Sequence, residues 1–64
     1  MKRDAAIREK ISKKVYEECG QKVRSVFFLC GTKDDRYCYC LVGNNNKIFG
    51  TALVDERDNI EVHI

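Results

Sequence analysis

Apolar positions in the first third of the chain recur every four residues, at Ile7, Ile11, Val15 and Cys19. That spacing lays one apolar stripe along a helix. It predicts a helix over about 4–19, with Asp4 as its N-cap or first-turn acid and Gly20 just past its end. Asp4–Arg8 and Glu9–Lys13 add favourable pairs one turn apart. Beyond Gly20 the chain turns to β-formers. Strands are expected over about 22–30, 36–42, 47–54 and 59–64, separated by GTKDD, GNNNK and DERDN. Each of these stretches is polar and rich in turn formers, and loops so short join antiparallel neighbours. The expected fold is α+β: an N-terminal helix packed on one face of a four-stranded antiparallel β-meander, a single domain over 1–64.

Alternation along the strands assigns the two sheet faces. Placing Val42 opposite Ile48 sets Cys40 against Gly50 and Cys38 against Ala52. Placing Val54 opposite Ile60 sets Ala52 against Val62. One face then carries Val26, Phe28, Cys30, Cys38, Cys40, Val42, Ile48, Gly50, Ala52, Val54, Ile60, Val62 and Ile64. Its small central residues suit a helix lying close above. The opposite face carries Phe27, Leu29, Tyr37, Tyr39, Leu41, Phe49, Thr51, Leu53, Glu61 and His63. A solvated face should be mostly polar, and only the last strand of this one is. With no second helix to cover it, Phe27, Leu29, Tyr37, Tyr39, Leu41, Phe49 and Leu53 are the expected protein interface, for a second copy or another protein.

Length and charge narrow the reading. A chain of 64 residues buries only about 60% of the surface its unfolded form exposes. Disulfides, a metal or oligomerisation often supply the missing stability in such small domains. There is no apolar run of about eighteen residues, so no membrane partner is expected. The charged start, MKRDAAIREK, does not read as a secretory signal, and a cytoplasmic location is expected. The net charge of +2 is uneven. Residues 1–24 hold eight Lys/Arg against four Asp/Glu, and residues 25–64 hold four against six. A nucleic-acid binder using the basic helix and the sheet aromatics is therefore the alternative function.

The candidate chemistry is thin. Cys38 and Cys40 are separated by one residue rather than the two to four of a zinc knuckle, and no glycine shapes a turn between them. Cys19, Cys30, Cys38 and Cys40 are all expected to point into the layer between helix and sheet. That would allow a cross-element disulfide or a thiolate site, so a zinc or redox protein is a second alternative. Buried free cysteine, a small hydrophobe, is the expectation. His63 falls on the face opposite these thiols, which argues against a Cys–His pair. The acidic turns read as solvated, and no phosphate loop, zincin motif or nucleophile elbow is present. The expected function is non-enzymatic: a small protein-binding module, homodimeric, acting as a regulator or inhibitor, with no cofactor and no metal.

Overall fold

The computed structural model describes residues 2–64, with side chains from Ala5 onward. Helix α1 spans Lys2–Cys19, followed by β1 (Ser25–Gly31), β2 (Tyr37–Val42), β3 (Ile48–Val54) and β4 (Ile60–His63). The strands form one antiparallel sheet in the order β1-β2-β3-β4, with the helix packed on one face: the α+β meander that the periodicity predicts. The helix starts two residues earlier than expected, so Asp4 lies in its first turn. The Asp4 side chain, and with it the Asp4–Arg8 pair, lies outside the described residues. At the other end Gly20 takes φ +68°, and its N–H donates to the Tyr16 carbonyl at 2.9 Å. This is a left-handed cap that glycine adopts without a steric penalty.

The three hairpin loops share one construction. The N–H of Thr32, Gly43 and Asp55 donates to the carbonyl of Arg36, Lys47 and Asn59 respectively. Inside each loop the fourth residue, Asp35, Asn46 or Asp58, donates back to the first. Those three residues are the chain's non-glycine left-handed positions among the described residues, with φ of 61°, 61° and 64°. A turn closed by one left-handed residue is a common short hairpin, and Asp and Asn tolerate that conformation better than other side chains. The Asp55 carboxylate reinforces its loop, accepting from the N–H of Arg57 and of Asn59 and from Asn59 Nδ2, each at 2.9 Å. The Asn59 contacts hold this carboxyl below its ordinary pKa.

The core lies between α1 and the sheet. Ile7, Ile11 and Val15 meet Val26, Tyr39, Leu41, Ala52 and Val54, with Val23, Phe49, Ile60 and Val62 around them. The helix stripe stops at Val15, because Cys19 is exposed. The expected pairings Val42–Ile48, Val54–Ile60 and Ala52–Val62 all form. The faces of β2 do not follow from them. One extra residue, Phe49, enters β3 between Ile48 and Gly50, so Leu41 opposes Gly50 and Tyr39 opposes Ala52. A second extra residue, Leu29, enters β1, so Phe28 opposes Tyr39 while Cys30 opposes Cys38. Each is a β-bulge, and one inserted residue exchanges the faces of everything beyond it. The result pairs large with small under the helix: Leu41 beside Gly50, and Tyr39 beside Ala52.

Candidate binding surface around strand β1

The turned β2 redistributes the expected interface. Tyr39 and Leu41 are 5% and 0% exposed and belong to the core, not to an open face. Phe49, the bulge residue, also packs against the core, with its ring beside Gly43. The expected inward cysteines move the other way. Since Tyr39 and Leu41 face the helix, alternation puts Cys38 and Cys40 on the far face. Cys40 is buried there between its strand partners Phe27 and Thr51, and Cys38 lies half-buried between Cys30 and Leu53. Among the described residues no group of three or more His, Cys, Asp or Glu side chains is placed to hold a metal ion.

The far face divides into two halves. Its β4 side is a chain of charge. The Arg36 guanidinium donates from Nε to Asp34 at 2.8 Å and from one terminal nitrogen to Glu61 at 2.8 Å. Glu61 in turn lies 3.1 Å from His63 Nε2. The Thr32 hydroxyl and then Arg36 hold the Asp34 carboxyl below its ordinary pKa. Arg36 thus reaches from the start of β2 over Leu53, which sits between Cys38 and Glu61 in the sheet. The β1 side carries no charge at all. Ser25–Gly31 reads SVFFLCG, and Phe27, Phe28 and Leu29 are 54%, 50% and 58% exposed.

Around β1 the apolar surface wraps over both faces. Phe27 follows Cys40 to the far face. Phe28 follows Tyr39 to the helix side, where its ring centroid lies 5.6 Å from Tyr39 and 6.2 Å from Tyr37. Tyr37 is half-exposed at the margin of that aromatic group. Of the expected interface residues, Phe27, Leu29 and Tyr37 are therefore on the surface, Phe27 on the far face and Tyr37 on the helix side, while Leu53 is half-buried between Cys38 and Glu61. Phe28 lies on the helix side, as expected, but beyond the helix's cover, and joins the surface although the expected interface leaves it out.

Tyr39 is buried, Arg36 is held by two carboxylates, and Arg24 donates to Asn46 Oδ1 at 2.7 Å. No helix is long and apolar enough to cross a membrane among the described residues. Comparison with protein-family models, with curated proteins and with solved structures found no match for this chain.

Proposed function

We propose that this chain is a non-enzymatic protein-binding module that self-associates through the free edge of β1 and the apolar groups flanking it. The observation that carries the reading is the contrast between the two sheet edges. β4 has four residues and carries Glu61 and His63, the charge and brevity that keep an edge from pairing. β1 has seven residues with no charge and no proline, and large apolar side chains stand on both of its faces. An edge without charge or proline offers a row of backbone donors and acceptors to another strand, here along Ser25–Phe28, before the Leu29 bulge. Its uncharged surface asks for an equally uncharged partner strand, and β1 of a second copy is one. Because only one edge is open, strand pairing closes as a twofold dimer instead of propagating into a fibre. A regulator or inhibitor acting on another protein could use the same surface by exchange with the self-contact.

Sedimentation velocity tests this reading. Wild-type protein in the high micromolar range is expected to sediment as a dimer and to dissociate on dilution. Phe27→Lys, which places a charge on an exposed edge position, should give a folded monomer at every concentration. A wild-type chain that stays monomeric in the high micromolar range contradicts the proposal.

A further inference from the structure

Cys30 and Cys38 are direct cross-strand partners in the β1–β2 pair. Directly opposed residues of an antiparallel pair have Cα atoms about 4.5–5.5 Å apart, inside the range of about 4.4–6.8 Å that a disulfide spans. The other thiols are placed differently. Cys40 opposes Phe27 and Thr51 and is buried. Cys38 and Cys40 are two apart in an extended strand, roughly 6.6 Å, close to the upper limit. Cys19 sits at the exposed end of the helix, away from the far face of the sheet. The fold therefore selects one pair out of four cysteines.

We propose that Cys30 and Cys38 form a dithiol site that a low-molecular-weight disulfide, such as oxidised glutathione, converts to an intramolecular cross-strand disulfide. Cys30 is exposed on the edge strand and takes the first step. Its thiolate attacks one sulfur of the small disulfide, forming a mixed disulfide on Cys30 and releasing one small thiolate. Cys38 then gives up its proton to solvent and attacks Cys30 Sγ, closing the Cys30–Cys38 bond and releasing the second small thiol. Two protein thiols are oxidised, and one small disulfide is reduced to two thiols. The order of events fits the surroundings. Burial first, and then the neighbouring Cys30, push the Cys38 thiol up, and Cys30 lies close enough to hydrogen-bond it. The inference rests on strand register and is independent of the dimer.

The test equilibrates folded protein with glutathione buffers of increasing oxidised fraction, blocks free thiols with an alkylating reagent, and maps tryptic peptides by mass spectrometry. Trypsin separates Cys30, in residues 25–33, from Cys38 and Cys40, in residues 37–47, and from Cys19, in residues 15–22. The expected product is the 25–33 peptide joined to the 37–47 peptide, with Cys19 alkylated. The bond should persist in Cys40→Ser. In Cys38→Ser it should be replaced by a glutathione adduct on Cys30. Running the same series on Phe27→Lys separates this inference from the dimer; the new lysine adds a tryptic site, so the expected product there is the 28–33 peptide joined to the 37–47 peptide. Four alkylated cysteines under oxidising buffer, or a bond that is lost in Cys40→Ser, would overturn the assignment.

Discussion

Leu41→Ala is expected to lose about 2–5 kcal/mol of unfolding free energy in a denaturant titration, while Cys38→Ala loses less than about 1 kcal/mol. Leu41 is fully buried between β3 and the helix stripe, opposite Gly50, so truncation removes buried methyl groups and leaves a cavity that the helix cannot fill without shifting. Cys38 stands on the other face, half-buried and opposite the partly covered Leu53. A domain of this size is stable by only about 3–10 kcal/mol, so the Leu41 variant sits near its unfolding threshold. The unbulged register would reverse the order, with Cys38 under the helix and Leu41 in solvent. Equal losses, or a larger loss at Cys38, would show that β2 is not turned as described. Tyr39→Asp belongs to the same test. It places a charge in the core, so it should unfold the chain and cannot serve as a probe of association.

Gly50→Ala should also destabilise, by about 1–3 kcal/mol, and the damage should concentrate at β4. A Cβ on Gly50 would lie 2.6 Å from the His63 carbonyl oxygen, 2.9 Å from Ile64 Cγ1 and 3.2 Å from Ile64 Cα. Two of these are backbone atoms, so a side-chain rotation cannot relieve the clash. The end of β4 must move away, and as a four-residue edge strand it has little else to hold it. Gly31→Ala is the matched control, since its nearest atom, the Arg36 carbonyl oxygen, is 3.9 Å away and its φ is not left-handed. That variant should change stability by no more than about 1 kcal/mol. Hydrogen exchange separates the two sites. Amides of β4 should lose protection in Gly50→Ala and keep it in Gly31→Ala, and unchanged β4 protection in Gly50→Ala would refute the close approach.

The helix, the strand order and the pairing of β3 with β4 were legible from periodicity because those segments carry strong contrast. Ile7, Ile11 and Val15 form a clean stripe, and Ile60 and Val62 alternate with Glu61 and His63. Strand β2 has no such contrast. In YCYCLV both alternating sets are apolar enough to be buried, so the pattern does not choose between them. The choice falls to the bulges at Leu29 and Phe49, and neither is marked by a glycine at the inserted position. What decides it physically is volume. In the bulged register the large side chains of Leu41 and Tyr39 fill the helix-side core, opposite the small Gly50 and Ala52, where two cysteines would fill less volume. The candidate surface was legible in part for the same reason. Phe27, Leu29 and Tyr37 stay exposed, Phe27 and Leu29 on the edge strand and Tyr37 at the margin of the helix side, while Tyr39, Leu41 and Phe49 pack into or against the core.

Whether β1 is an open edge completed by a second copy is decided by hydrogen exchange along Ser25–Gly31 as a function of protein concentration. The β1 amides that do not bond to β2 should be protected at high concentration and exchange freely on dilution, with β4 amides unchanged. Exchange in β1 that is the same at every concentration would contradict the account.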